Sequence, residues 1–297
     1  MSVEWIVEES DPKRLKEFLK EKDISRRIIA RTKFQGGSFE VNGRDVRVRE
    51  PLKNGDQVVL NLPLEEANPE LNTSHGPLDI LYEDEHYLMI NKPVDLMSVP
   101  SQGDREDTVA NRVKGYFIRN DYKHQVVHII TRLDRFTSGV LMVAKNALAH
   151  SLMGKQLDEK TLEKYYLAIV EGHLEPKKGL IDAPIARSQD SIIERVVDPS
   201  GKPSRTGYEM TEKLENNLSL VHLTLYTGRT HQIRVHMSHL GHPLVGDDLY
   251  GGSTEYLNRQ ALHCQKMAFR HPFSGNRLEV KAPLPEDMQT LVDRKME

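Results

Sequence analysis

The chain has 297 residues, 38% hydrophobic and 29% charged, which suits one large domain beside a small one and excludes a wholly disordered chain. Lys and Arg number 41 against 44 Asp and Glu, a net charge of -3, so the chain is not uniformly basic and any nucleic-acid site must be a local patch. Its one cysteine, Cys264, excludes an internal disulfide framework and a multi-cysteine zinc site. No stretch approaches the roughly 20 apolar residues of a membrane helix, and the acidic start MSVEWIVEESDPK does not resemble a signal peptide. The expectation is a cytoplasmic protein that does not enter a membrane.

Charge divides the chain first. Between Lys13 and Arg49 there are 12 Lys/Arg and 5 Asp/Glu, a local +7 by difference. This segment opens with Leu15, Phe18 and Leu19 on one helical face, and Ser25 is a plausible N-cap for a second helix over Arg26, Arg27, Ile28 and Ile29. The period then shortens to two: Phe39, Val41, Val46 and Val48 flank the turn Asn42-Gly43, and Asn54-Gly55 precedes an apolar strand from Val58 to Leu62. The polar, proline-containing stretch 66–77 predicts a linker between a basic module at 1–65 and a larger domain at 78–297. In that domain the patterning predicts strands near Ile80 to Tyr82, His86 to Ile90, Gly139 to Ala144, Tyr165 to Val170, Leu218 to Tyr226 and Leu278 to Lys281. Helices are predicted near Thr108 to Ile118, Ala147 to Leu157 and Thr230 to Leu240. Strands and helices mix irregularly, which argues for an α+β class over a doubly wound sheet.

Three segments carry residues suited to chemistry. In RLDRFTSG, Arg132 to Gly139, an acid sits between Arg132 and Arg135 in a turn before the strand VLMVAK. Flanking cations favour a carboxylate, the form needed by a nucleophile or general base, although a turn-forming Asp in a structural salt bridge would look the same. In TGRTHQIRVH, Thr227 to His236, a strand gives way to a helix whose Arg229 and Arg234 could pair with a carboxylate or grip phosphate. His231, His236, His239 and His242 lack the HExxH form and have no acid at ligand spacing before Asp247, so no metal is expected. In KYYLAIVEG, Lys164 to Gly172, Tyr166, Ala168 and Val170 share one strand face while Tyr165 and Leu167 share the other. One tyrosine is either core or a stacking surface for a base. The absence of a GxGxxG or Walker loop argues against a nucleotide cofactor.

Taken together, these segments resemble the RluA-type family of RNA pseudouridine synthases. Further similarity runs through ILYEDEHYLMINKP at 80–93, GHPLVGDDLYGG at 241–252, RQALHC at 259–264 and APLP at 282–285, covering nearly all of residues 78 to 290. The basic module, with SRR at 25–27, VNG at 41–43 and NGD at 54–56, resembles the RNA-binding domain named after ribosomal protein S-four. Two departures stand out: the position before Arg-Leu-Asp is Thr131 where the family usually has His, and DLMSVPSQ at 95–102 replaces a run of small residues ending in His-Pro.

The resemblance implies a pseudouridine-synthase catalytic domain, a largely antiparallel or mixed sheet flanked by helices, beside a small α+β RNA-binding module. It makes Asp134 the catalytic aspartate, Tyr166 the residue packed against the target uracil, and Arg234 the ion-pair partner that keeps Asp134 ionised. Arg132, Arg135, Thr137, Arg229, His231 and Gln232 become candidate substrate contacts, and Lys13, Arg14, Arg26, Arg27, Arg31 and Lys33 candidate RNA contacts of the module. The implied reaction breaks the glycosidic bond of a uridine in RNA, turns the base over and joins its carbon 5 to carbon 1′ of the ribose, with no metal or organic cofactor. One acid suffices because no water is activated, in contrast to the paired carboxylates of glycoside hydrolases. Whether it attacks carbon 1′ or deprotonates carbon 2′ stays open. Large-subunit ribosomal RNA is the favoured substrate and transfer RNA the alternative, with a monomer as the default. The competing readings are a non-catalytic protein for structured RNA and a uracil-releasing glycosylase.

Overall fold

The computed structural model describes residues 1–101 and 106–294; Gln102 of the 95–102 segment and residues 295–297 of the larger domain lie outside the described residues. In the basic segment, strand β1 (Ser2–Ile6) is followed by helices α1 (Leu15–Glu21) and α2 (Arg26–Phe34). The strands β2 (Ser38–Val41), β3 (Arg44–Asp45) and β4 (Gln57–Asn61) complete a four-stranded sheet of order β1-β4-β2-β3. Leu15, Phe18 and Leu19 are buried under α1, and the Ser25 side chain accepts a hydrogen bond from the Ile28 amide as the N-cap of α2. Asn42 and Gly43 both have positive φ, +50° and +74°, as a tight hairpin turn between right-twisted strands requires. β3 stops at Asp45, the Val46 amide adds one more bond to the Phe39 carbonyl at 2.8 Å, and Val46 and Val48 pack against the module's apolar cluster.

The larger unit follows. Its elements are β5 (Ile80–Glu83), β6 (Tyr87–Lys92), α3 (Val109–Arg119), β7 (His128–Ile129), β8 (Ser138–Ala144), α4 (Ala147–Asp158) and β9 (Glu163–Glu171). After these come β10 (Lys178–Asp182), β11 (Ile185–Arg187), β12 (Arg195–Val197), β13 (Arg205–Leu214), β14 (Leu218–Leu225) and α5 (Gln232–His239). A short 3-10 turn (Asp248–Tyr250), β15 (Leu262–Arg270), β16 (Arg277–Lys281) and α6 (Glu286–Val292) close it. The sheet runs β10-β13-β14-β9-β15-β8-β6-β5, with β16 on β15 and β7 on β8, and every pair is antiparallel except β15 with β8. This is the expected α+β class.

Alternation along β9 shows how the sheet separates two cores. Tyr166, Ala168 and Val170 join the main cluster, which includes Val113 and Phe117 of α3. Leu167 and Ile169 point the other way, to a second cluster closed by Met288, Leu291 and Val292 of α6. Gly139 lets β8 approach β15: a Cβ there would lie 2.2 Å from the Cys264 carbonyl oxygen, and its φ of +110° suits glycine.

The stretch after β4 carries no helix or strand up to Ile80 and is strapped to the larger unit. Lys114 Nζ donates to the carbonyls of Asn68 and Leu71, and Asn111 Nδ2 donates to that of Asn72. Glu65, 4% exposed, joins the two units: its carboxylate meets Arg31 of α2 at 2.5 Å, His128 at 3.2 Å and the Ala147 amide opening α4 at 2.7 Å. Leu148 of α4 is buried in the same apolar cluster as Leu15 and Phe18. The basic segment is therefore docked on α4.

Candidate active site

The loop between β7 and β8 is held from both sides. Thr131 Oγ1 accepts the Met142 amide at 3.0 Å, Leu133 packs into the main cluster, and Ser98 Oγ bridges the Leu133 backbone, accepting its amide at 3.0 Å and donating to its carbonyl at 2.7 Å. Thr131, the departure from the family pattern, thus serves as a local backbone clamp. Beneath the loop, the fully buried Lys92 ends β6 and donates to three carbonyls, Pro93 at 2.8 Å, Leu96 at 2.7 Å and Arg135 at 2.9 Å. Burial pushes its ammonium down to about 7, and the three acceptors match its three protons. The loop so fixed presents Asp134, whose side chain is 31% exposed, into a cleft of about 670 Å³.

Facing Asp134 is the start of α5. Arg234 Nη1 lies 3.5 Å from Asp134 Oδ2, while its Nε and Nη2 make a bidentate pair with Asp247, both at 2.7 Å. Burial would lower the guanidinium, but the hydrogen bonds and charge of Asp247, with Asp134 nearby, hold it above its ordinary value. Its far face packs over the Tyr250 ring, 4.9 Å from the centroid. His231, in the left-handed region at φ +56°, sends Nε2 to 4.0 Å from Asp134 and pairs Nδ1 with the Tyr250 hydroxyl at 2.8 Å. Burial lowers the imidazole, so a neutral ring faces the carboxylate at pH 7. On the floor, Tyr166 is 6% exposed with its hydroxyl against Cys264, and burial raises that hydroxyl well above its ordinary value. Cys264 is fully buried and pushed up to about 12 by that burial, an inert thiol at neutral pH.

The cleft gathers Asp134, Tyr166 and Arg234 together with Arg132, Arg135, Thr137, Arg229, His231 and Gln232. Their environments differ. Arg132 and Arg229 are exposed at the rim, and Arg135 is paired with Asp95 at 2.7 Å. Thr137 is buried and its hydroxyl accepts from Gln260 at 3.3 Å. Gln232 departs from the expectation of substrate contact: its oxygen accepts from Thr227 Oγ1 and the Arg229 amide, and its nitrogen donates to the Arg205 carbonyl and Thr206 Oγ1. All its polar capacity is used to shape the turn before α5. Arg234 likewise differs from the expectation of a simple pair with Asp134, since its closest partner is Asp247. Sequence analysis missed Asp247, considering it only as a metal ligand; the signal was the GDD run following a helix that carries a buried arginine. In the basic segment, Arg31 is bound to Glu65 at the junction and not free at the surface, whereas Lys13, Arg14, Arg26, Arg27 and Lys33 are exposed. Among the described residues no cluster of His, Cys, Asp or Glu could hold a metal ion.

An anchored carboxylate facing a held arginine, over an aromatic floor and under a cationic rim, can bind an anionic ligand that carries a flat ring. That is the class of an enzyme working on nucleotides. Comparison with known proteins narrows it. The model of the RNA pseudouridylate synthase family matches residues 86–239. The chain is 42% identical over 278 residues to the uncharacterized RNA pseudouridine synthase YjbO of Bacillus subtilis (strain 168), covering 94% of this chain and 98% of that protein. It is 37% identical over 270 residues to ribosomal large subunit pseudouridine synthase D of Escherichia coli (strain K12), covering 85% and 81%. Among solved structures it resembles human RNA pseudouridylate synthase domain containing 1, at 30% identity and a TM-score of 0.58 over 71% of this chain and 84% of that one. This chain belongs to the RNA pseudouridine synthase family, in agreement with the RluA-type resemblance of its motifs.

Proposed function

We propose that this enzyme isomerises a uridine of large-subunit ribosomal RNA in the cytoplasm, with Asp134 acting on the ribose, Tyr166 packing against the uracil and Arg234 orienting the carboxylate. The observation that carries the reading is the anchored Asp134 carboxylate, 3.5 Å from an arginine that Asp247 holds in place, at the mouth of a cleft floored by Tyr166. Such a carboxylate is positioned to attack carbon 1′ or remove a proton from carbon 2′. An aromatic floor confines the freed base, which would otherwise escape as free uracil. Extruding the uridine from its helix costs a few kcal/mol, offset by the pocket and by cationic contacts of the rim and the basic module. Ribosomal RNA is favoured because a relative of 37% identity is named for the large ribosomal subunit and because the basic module adds a docking surface for folded RNA.

The test is single-nucleotide mapping of pseudouridine in total RNA incubated with wild-type protein or with Asp134→Asn, which keeps shape and removes charge. New pseudouridine in large-subunit ribosomal RNA with wild type alone is the expected result. Modification confined to transfer RNA would correct the substrate, free uracil would indicate a glycosylase, and tight binding without modification by either protein would overturn catalysis.

A further inference from the structure

Among the described residues, Lys164 is a mostly buried cleft lysine whose charge meets no protein partner. It is 9% exposed and lines the cleft, yet no described acceptor or carboxylate lies within hydrogen-bonding or ion-pairing distance of Nζ. A Cβ placed on Gly228 would come within 3.6 Å of Nζ, which locates the ammonium under the turn that opens the TGRTHQIR segment. The buried cations nearby are treated differently: Lys92 has three carbonyls and Arg234 has a bidentate carboxylate. Burial lowers the Lys164 ammonium below its ordinary value. Its stem is buried while the ammonium opens on the cleft without a protein partner, so a negative ligand is the natural complement.

Position says which part of the ligand. Lys164 lies two residues from Tyr166 on the same face of β9, roughly 6.6 Å along the strand, about the span of a pyrimidine. The exposed Arg132 and Arg229 occupy the rim, placed to meet a sugar-phosphate chain from outside. Resting on the reading that the cleft isomerises uridine, we propose that Lys164 is an anion subsite at the cleft floor that takes up the negative charge of the uracil ring while it is detached from the ribose. When the bond between carbon 1′ and N1 breaks, its electron pair leaves with the base, and the charge spreads over N1 and the two ring carbonyl oxygens. The ammonium donates a hydrogen bond to one of those oxygens and keeps its proton. Carbon 5 then uses an electron pair of the anionic ring to bond carbon 1′, and its hydrogen is exchanged for one gained at N1. The lysine stabilises the state with a free base more than bound uridine, which is how an electrostatic group raises a rate.

The experiment uses full-length protein and unmodified transcripts of large-subunit ribosomal RNA, comparing wild type with Lys164→Met and Lys164→Gln. Single-turnover rate at saturating RNA, Kd and the melting temperature of free protein are measured. Lys164→Met is expected to slow the chemical step by about 100-fold or more, change Kd less than about threefold, and leave melting nearly unchanged because the ammonium makes no described contact within the protein. Lys164→Gln, which keeps an N–H donor without charge, is expected to fall between. A weakened Kd at unchanged rate would make Lys164 a phosphate contact and overturn the proposal. Unchanged rate and Kd would overturn it too, as would lowered melting with rates alike for both variants. If wild-type protein modifies neither these transcripts nor total RNA, the uridine-isomerase reading itself falls, and this inference with it.

Discussion

Asp247 offers the sharpest test of how the site is held. Its carboxylate is 1% exposed, the Arg234 side chain 8%, and the two contacts between them are 2.7 Å each, so solvent screens the pair very little. Asp247→Asn keeps the shape but leaves a buried guanidinium whose nearest remaining carboxylate is Asp134, 3.5 Å away. Breaking one side of a buried pair costs about 3–5 kcal/mol, and partial re-pairing with Asp134 points to about 3. At 2–4 °C per kcal/mol for a domain of this size, melting should fall by roughly 6–12 °C. The re-paired arginine would draw Asp134 off line, and a displacement of about 1 Å at a reacting group costs on the order of 100-fold in rate. The double variant Arg234→Met with Asp247→Leu removes both charges; its stability should return to within about 1 kcal/mol of wild type while activity stays lost. Thermal melting with single-turnover assays of the three proteins checks this. A melting temperature for Asp247→Asn within 2 °C of wild type, or a double variant as unstable as the single one, would refute the argument.

Glu65 gives a pH-dependent prediction. Burial alone would raise its pKa, but the hydrogen bond and charge of His128, the Ala147 amide and Arg31 outweigh it and bring the carboxyl to about 2 against an ordinary 4.5. A depressed carboxyl contributes stability above its unfolded value and loses it as pH falls toward the folded one, here about 3 kcal/mol at pH 5.5, vanishing near pH 2. Urea unfolding should find Glu65→Gln less stable than wild type by that margin at pH 5.5, with the gap closing as pH falls through 4; a constant gap would contradict it. The exposed pair Arg26 and Arg27 tests the basic module. Replacing both with Glu should weaken RNA binding and lower the slope of log Kd on log salt by about 1–2, with the saturated single-turnover rate unchanged. A lost rate at saturation would place these residues in the chemistry instead.

What could be read from the sequence follows from where information is local. The helix N-cap at Ser25, the Asn42-Gly43 turn and the β9 alternation are properties of a few adjacent residues, and they appear as foreseen. The strands β10, β13 and β15 escaped notice because their apolar residues do not repeat cleanly, and β1 because its alternating Val3 and Trp5 are too few to stand out. Ser2–Ile6 never becomes fully buried, and Leu262–Arg270 mixes buried His263 and Cys264 with partly exposed Gln265 and Lys266. Such strands owe their place to neighbours distant in sequence. The site divides in the same way. Asp134 and its flanking arginines are legible as one motif, whereas the Asp247 clamp, the Lys92 anchor and the Glu65 junction join residues far apart, and only the folded chain brings them together.

Those long-range contacts explain why a net acidic protein can present a cationic site. Its cations fall into three tiers by burial, each with a different electrostatic consequence. Arg26, Arg27, Arg132 and Arg229 are exposed and solvated, so their attraction for RNA is long-ranged but screened by salt. Arg234 is buried and neutralised by Asp247, and Lys92 is buried with its three protons given to backbone carbonyls, so their effect is geometric, fixing the loop and orienting Asp134. Lys164 is buried along its stem with its unpartnered ammonium open to the cleft, so its field acts on what the cleft holds. Adding surface lysines should therefore tighten RNA binding without accelerating the reaction, whereas changes at the buried tiers should alter the rate more than the affinity.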